Sequence, residues 1–544
     1  MRIMFIVNSL GINEPFGPMI LSAQLSAQGH ETCLGVIANP GLLEQIKQWK
    51  PDVLGYSMMT VDIPSMLSFN NMLRKEMKIF TILGGAHATL NPEIVADENI
   101  DAVCVGEGDQ ALTEVLRRLE RGESLVGIPN IQTAVGQSLE IAPLIEELDT
   151  LPFMDRKLVY EHSPEMKKFG IKGIWASRGC PFKCPYCFNH RINRLQQGKG
   201  RIVRKRSVTS LILEAQELKR DYPVKFFRIQ DDAFVYQADD WLREFAARWS
   251  TEVGIPFYCL IRAEFVTEEI VKLLAQAGCK SVSMSIESAV DDIRNRMLRR
   301  NMTREHISSA FRICQEHGIA VFTNTMLGLP FTRLQDDIES LDFNIKIKAD
   351  LPSFSVFMPF PGTDLGDYCR NAGILTEEKS GELGFGMRNQ TQLSCFSPEV
   401  KRAQYNLCQL GIVAVKFPWL RDVIVNRLIH WKPNLFFIMI NYLVAMHAYG
   451  TKIFPFGHSP LEYVELVRRT VRHFLYDLTR KNTAGSLVLE ELDTVSKVLT
   501  EQERLGEMEK CMNALEAGKP IGGVLIPGRM SATARDRSVN PAES

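Results

Sequence analysis

Three cysteines fall within eight residues of this 544-residue chain, in the run "RGCPFKCPYCFN" at 178–189. Cys180, Cys184 and Cys187 have the spacing C-x3-C-x2-C. Thiolates ligate zinc and iron–sulfur clusters. A structural zinc site takes four protein ligands, and His190, three residues beyond Cys187, could complete a Cys3His set. Structural zinc staples small domains that lack a core, however, and this run opens a long alternation of strands and helices. Three thiolates there suit a [4Fe–4S] cluster in which one iron has no protein ligand and is open to a substrate or cofactor.

Two series of elements must position such a site. In the first 120 residues the pattern predicts buried strands at 2–8, 32–38, 52–58, 80–85 and 101–108, with helices between them, as at 63–77 and 110–120. Short apolar strands separated by helices predict a parallel sheet covered on both faces, with ligands at the carboxyl ends of its strands. Those ends read "GYSMMT", "GGAHAT" and "GEGDQA", small and glycine-rich as close approach by a bulky ligand requires. The second series predicts strands at 173–179, 225–232, 257–263, 281–288, 320–328 and 354–360. Helical patterns at 207–220, 239–251, 267–277, 303–317 and 333–347 separate them. Six repeats predict a partial (β/α)6 barrel of TIM type with its functional groups at the strand ends. The cysteine run follows the first of these strands. The predicted organisation is an α/β chain: a Rossmann-like (flavodoxin-like) domain over 1–135, a linker over 136–168 and a barrel over 169–375. A mostly helical region follows over 376–524 and a disordered tail over 525–544.

Composition narrows the class. Hydrophobic content of 45% and charged content of 23% are ordinary for a globular protein, and a net charge of −1 gives no bulk attraction to nucleic acid or acidic lipid. Apart from the 180–187 run the twelve cysteines are scattered singly, which predicts a reducing cytoplasm rather than a disulfide framework. The opening "MRIMFIVN" reads as a strand, not a signal segment. The apolar run 435–447 has thirteen residues and contains Asn441, short of the about 20 a spanning helix needs. A buried core helix is predicted, with a role at a membrane surface as the alternative. Phe417, Trp419, Trp431, Phe436, Phe437, Tyr442, Phe454 and Phe456 are predicted as core, or as the wall of a hydrophobic substrate site. The basic stretch 191–206 has no aromatic ladder beside it, as nucleic-acid binding would need.

The motifs together resemble the radical S-adenosylmethionine enzymes, in the branch with an N-terminal cobalamin-binding domain. That branch includes methyltransferases and the anaerobic magnesium-protoporphyrin ester cyclase. The resemblance is carried by the cysteine motif with Tyr186 before its last cysteine, "IQDDAF" (229–234), "SMSIES" (283–288), "TMLGLP" (325–330) and "MPFPGTDL" (358–365). "GHET" (29–32), "PDVLGYS" (51–57), "ILGGAHATLNPE" (82–93) and "DAVCVGEGDQAL" (101–112) carry it in the N-terminal third. It implies a [4Fe–4S] cluster on Cys180, Cys184 and Cys187 whose open iron chelates S-adenosylmethionine, and reductive cleavage to a 5′-deoxyadenosyl radical. Tyr186, Asp231, Asp232, Arg262 and Glu287 fall where the family contacts S-adenosylmethionine. Asp231 or Asp232 would accept from the methionine ammonium, Arg262 would pair with its carboxylate and Glu287 would reach the ribose. A strand-end cap, a plain salt bridge and a surface ion pair are the respective alternatives. "RKRS" (204–207) is similar to the approach to the next helix in that family, and the resemblance implies that the basic stretch 191–206 is a loop covering the active site.

Cobalamin is implied against Ser57, Met58, Thr60, Gly84, Gly85, His87, Gly106, Glu107 and Gly108. None of the ten histidines has an aspartate two residues before it, so the Asp-x-His-x-x-Gly cobalt-ligand motif is absent. The branch often lacks that motif, and the alternative is a fold retained only as a scaffold. The implied activity is methylation of an unactivated carbon of a small-molecule or lipid- or tetrapyrrole-like substrate. A radical oxidoreductase or cyclase is the alternative, and a non-catalytic cobalamin or metal sensor a second. The implied partners are a small, hydrophobic substrate and an electron donor such as flavodoxin or ferredoxin, with no nucleic acid. The expected location is the cytoplasm, with peripheral membrane contact as the alternative.

Overall fold

The computed structural model describes residues 1–11, 14–375, 390–455, 468 and 499–517. The apolar runs of the N-terminal third form β1 (Arg2–Val7), β2 (Glu31–Val36), β3 (Val53–Ser57), β4 (Phe80–Gly84) and β5 (Ala102–Cys104). Helices cover both faces, so Ile3, Met4, Phe5, Ile6 and Val7 are all buried without alternation. The spatial order is β2-β1-β3-β4-β5, parallel throughout, a flavodoxin-like arrangement whose crevice lies at the carboxyl ends. A further strand, β6 (Ile131–Gln132), pairs antiparallel with β5. Two residues carry too little pattern to announce it.

The second sheet comprises β7 (Ile171–Ile174), β10 (Phe226–Ile229), β11 (Phe257–Leu260), β12 (Cys279–Ser283), β13 (Ala320–Leu327) and β14 (Leu351–Val356). The hairpin β8 (Ser177–Arg178) and β9 (Arg204–Lys205) interrupts the series. Each strand pairs in parallel with the next in the order β7-β10-β11-β12-β13-β14, a six-stranded partial barrel. The predicted strand 173–179 is split. Beyond Ile174, Asp231 takes over from the ladder, accepting from the Ala176 amide at 2.8 Å and the Ser177 hydroxyl at 2.6 Å. The barrel helices begin where a side chain caps the first free amides: Ser207 accepts from the Ser210 amide, Asp239 from Leu242, Thr267 from Ile270. Phe227, Phe234, Phe245, Trp249 and Phe257 interlock edge to face in the core beneath.

A buried ionic network ties the sheets together through the predicted linker. Arg156 donates to Glu14 at 3.0 Å and to Glu214 at 3.0 Å, and Glu214 also pairs with Arg206. Glu14 in turn accepts from the Gly173 amide at 2.6 Å.

Eight helices frame the site and the C-terminal region. They are α1 (Ala86–Leu90), α2 (Asp109–Arg121), α3 (Phe188–Leu195), α4 (Asp364–Asn371), α5 (Pro398–Lys416), α6 (Arg421–Asn426), α7 (Leu435–Ala448) and α8 (Glu501–Glu516). α5 is buried along most of its length against β14. α8 returns to the barrel, where Cys511, Met512 and Leu515 pack with Ile293, Leu365 and Cys369. The structure corrects the prediction of a buried core helix at 435–447. Phe437, Ile438 and Asn441 face α5, with Asn441 Nδ2 donating to the Gln409 carbonyl at 2.8 Å, but Leu435, Phe436, Met439 and Leu443 lie on the surface. An all-apolar helix shows no polar face in its pattern, so the pattern cannot tell one covered side from two. Phe456 and the tail at 525–544 lie outside the described residues.

Candidate active site

The cysteine loop is held at the carboxyl end of β7 by the chain on either side of it. Gly179 has φ +88°, and a Cβ there would overlap the Ile202 carbonyl, because the segment returning to β9 crosses at this point. Cys187 is the N-cap of α3, its amide donates to the Cys184 carbonyl at 3.0 Å, and Asn193 Nδ2 donates to the Cys180 carbonyl at 2.6 Å. Cys184 is buried and the other two are half-buried. Burial pushes the Cys180 thiol up to about 11 and the Cys187 thiol to about 12, so ligation must release protons.

Among the described residues no three His, Cys, Asp or Glu side chains converge on a single ion position. His190 faces away from the thiols. Its Nε2 lies 3.2 Å from Asp364 Oδ2 and 2.8 Å from Arg194 Nη2, because His190 and Arg194, four apart on α3, share the face turned to α4.

The other barrel candidates divide. Asp231 spends both oxygens on Ala176 and Ser177, and burial pushes its carboxyl up to about 6. Asp232 next to it opens to solvent at the mouth, yet enough protein surrounds it to raise its carboxyl by desolvation, against a hydrogen bond from Asn189. Arg262 is already engaged: Nε donates to Glu264 at 2.7 Å, Nη2 to the Arg300 carbonyl at 2.9 Å and Nη1 to the Cys184 sulfur at 3.5 Å. Glu287 sits in the left-handed region at φ +61°. It is kept there by its amide bond to the Asn324 carbonyl at 3.0 Å and by the Met326 amide, which donates to its carbonyl at 2.8 Å. Its carboxylate accepts from the Tyr186 hydroxyl at 3.1 Å and lies 3.6 Å from Arg300, which also donates to Tyr186 at 3.0 Å. Burial raises the Glu287 carboxyl while Arg300 pulls it down. The sequence pattern does not single out Arg300; two consecutive arginines after a helical stretch read as solvated surface.

In the first sheet the loops after β3 and β4 meet backbone to backbone. Gly85 has φ +96°, and a Cβ there would stand 2.9 Å from the Met58 carbonyl oxygen. Ser57 and Gly84 end their strands, Met58 is buried, and Thr60 Oγ1 lies 3.2 Å from His87 Nδ1. Burial pushes His87 down to about 4, so the ring is neutral. The Gly106 amide donates to Thr89 Oγ1 at 3.0 Å, and Gly108 caps α2. Glu107 is turned to the barrel: it accepts from Arg204 at 2.6 and 3.1 Å and lies 3.5 Å from Arg178. Asp109 accepts from both Arg178 nitrogens, at 2.9 and 3.0 Å. These arginines flank the cysteine loop, and α1 packs on α3. The crevice of the first sheet and the cysteine loop therefore share one interface. The basic stretch 191–206 serves it, since Arg194, Arg201, Arg204 and Arg206 pair with Asp364, Glu146, Glu107 and Glu214.

Residues 3–116 match the model of the B12 binding domain, and residues 176–343 that of the Radical SAM superfamily. The chain is 26% identical over 332 residues to an uncharacterized methyltransferase of Pyrococcus horikoshii, covering 59% of this chain and 70% of the relative. It is 22% identical over 350 residues to the anaerobic magnesium-protoporphyrin IX monomethyl ester cyclase of Cereibacter sphaeroides, covering 60% of this chain and 55% of the relative. Its fold is similar to that of the radical S-adenosylmethionine methyltransferase TsrM from Kitasatospora setae, with a TM-score of 0.64 at 16% identity, over 86% of this chain and 99% of the other.

Proposed function

We propose that this chain, which joins a B12-binding domain to a radical S-adenosylmethionine domain, methylates an unactivated carbon of a small, hydrophobic substrate. The observation that carries the reading is the shared interface: Arg178 and Arg204, flanking the thiol loop, are paired with Asp109 and Glu107 at the end of β5. When bound, a [4Fe–4S] cluster with S-adenosylmethionine supplies a 5′-deoxyadenosyl radical, and cobalamin supplies the methyl group. The residues fit these groups. Cys180, Cys184 and Cys187 would hold the cluster, with S-adenosylmethionine bound beside it. Asp232 accepts from the methionine ammonium, because Asp231 is spent on the backbone. Glu287, oriented by Tyr186 and Arg300, accepts from the ribose hydroxyls.

Arg262, committed to Glu264, acts on the Cys184 sulfur rather than on the methionine carboxylate. Ser57, Met58, Thr60, Gly84, Gly85, Gly106 and Gly108 line the cobalamin crevice, and His87 builds its wall through Thr60. An external flavodoxin or ferredoxin delivers the electron.

Anaerobic reconstitution with iron, sulfide and cobalamin tests the reading. A methyltransferase yields S-adenosylhomocysteine together with 5′-deoxyadenosine. The likeness to the cyclase favours a second reading, oxidative ring closure, for which turnover yields 5′-deoxyadenosine alone. Absence of both products points to a non-catalytic cobalamin or metal sensor.

A further inference from the structure

We propose that the surface formed by α6, the turn at 428–431 and α7 docks on an anionic lipid bilayer. Of the sixteen large hydrophobic side chains exposed among the described residues, nine lie between Phe417 and Tyr449, so the exposure is concentrated rather than scattered. Trp419 is 76% exposed, Phe436 58% and Trp431 56%. On α7, Leu435, Met439 and Leu443 recur every four residues and form one stripe, while Phe437, Ile438 and Asn441 hold the opposite side against α5. Trp419 and Val423 stand one turn apart on the neighbouring segment. No described helix is long and apolar enough to cross a membrane, which leaves α7 the geometry of a helix lying in the interface.

Charge selects the occupant. Residues 417–455 contain four basic residues, Arg421, Arg427, Lys432 and Lys452, and one acidic residue, Asp422, an excess of three positive charges in a chain of net charge −1. Arg421 is spent on Asp422 at 2.9 Å and on Asp342 of the helix after β13 at 2.7 Å, so the positive charge of the surface rests on Arg427, Lys432 and Lys452. Exposed tryptophans beside lysine and arginine match the boundary between acyl chains and anionic headgroups. A second copy of the chain would oppose this excess charge with its own. The surface runs along the outer side of α5, from Trp431 beside Asn406 to Tyr449 at the end of the barrel away from the thiol loop. There Tyr449 packs on Phe322 and Phe454 on Phe226 and Tyr258, toward the amino ends of their strands. α5 stands between this surface and β14, so docking meets the outer flank of the barrel.

Vesicle sedimentation of the full chain tests the proposal, with phosphatidylcholine alone and with phosphatidylcholine containing phosphatidylglycerol. The expected result is sedimentation with the anionic vesicles and at least ten-fold weaker binding to the neutral ones. The triple variant Trp419→Ser, Trp431→Ser, Phe436→Ser should lose anionic binding ten-fold, and brominated lipid should quench tryptophan emission in the natural chain only. Circular dichroism and the iron content of the variant, read at the far end of the barrel, confirm that it is folded. Equal sedimentation of the variant, or none by the natural chain, overturns the proposal. It falls equally if the surface proves to be taken by a second copy, seen as a concentration-dependent dimer, or by residues 456–498 of the same chain.

Discussion

The Arg262 guanidinium donates to the sulfur of Cys184 across 3.5 Å while lying 3.7 Å above the ring of Phe182. Glu264 fixes its other edge, and Phe182 is itself braced by Tyr236 and Phe265. A positive donor held on a cluster ligand stabilises the more negative, reduced state. Arg262→Met should therefore lower the midpoint potential of the reconstituted cluster, by roughly tens of mV, with unchanged iron content. Redox titration followed by electron paramagnetic resonance measures it, and an unchanged potential would leave Arg262 a purely structural residue.

Alanine at Cys180, Cys184 or Cys187 should each strip the cluster and abolish cleavage of S-adenosylmethionine. His190→Ala should retain the iron, because its ring faces Asp364 and Arg194 rather than the thiols. It should instead cost only about 0.5–1.5 kcal/mol, the worth of the lost hydrogen bonds, because Arg194 and Asp364 stay paired with each other at 2.6 and 2.7 Å. Iron quantitation and thermal unfolding separate the two, and loss of iron in the histidine variant would restore a Cys3His site.

Asp337 is buried on the helix after β13, where it accepts from the Gly328 amide at 3.1 Å and Gln404 Nε2 at 3.0 Å. Burial pushes its carboxyl up to about 7. Below about pH 4 it is protonated in both the folded and unfolded chains, so its contribution is fully present. Between about pH 4 and pH 7 the unfolded chain releases the proton first, and stability falls by about 4 kcal/mol as pH rises. Asp337→Asn removes that dependence. The unfolding midpoint of the variant relative to the natural chain should rise from pH 5 to pH 8, and a flat difference would contradict the assignment.

Gly85→Val places a side chain against Met58 at a φ of +96°. The variant should lose cobalamin uptake while keeping the iron of the cysteine loop. Absorbance of the bound corrinoid and iron content are read on one sample, and full retention of cobalamin would move its site away from the β3 and β4 loops.

Arg178 of the β8–β9 hairpin and Asp109 at the start of α2 are joined by two parallel hydrogen bonds. Arg178→Ala should cost about 3 kcal/mol, because it leaves the buried Asp109 carboxylate alone, and Asp109→Ala less, because Glu107 stays 3.5 Å from Arg178. The double variant should cost clearly less than the two together. Denaturant unfolding of the four chains completes the cycle, and additive losses would show that the pair does not couple the hairpin to α2.

The sequence by itself determined the parallel sheets, the partial barrel and the three thiols. Those depend on local pattern: apolar runs at strand length, capping residues at helix starts, and ligand types at short spacing. Only the tertiary structure decided which polar residues remain available. Asp231 and Asp232 are neighbours of one type in the sequence, but folding spends one on Ala176 and Ser177 and leaves the other at the mouth. Glu107 and Arg262 were legible as candidates, yet their partners Arg204 and Glu264 take up their charge. Arg300 and the β6 strand carry no signal of their own, since one acts through Glu287, brought near by the barrel, and the other spans two residues. The open side of α7 was equally hidden. Its residues are apolar all round, and only packing on α5 decides which of them meet the core and which meet the solvent.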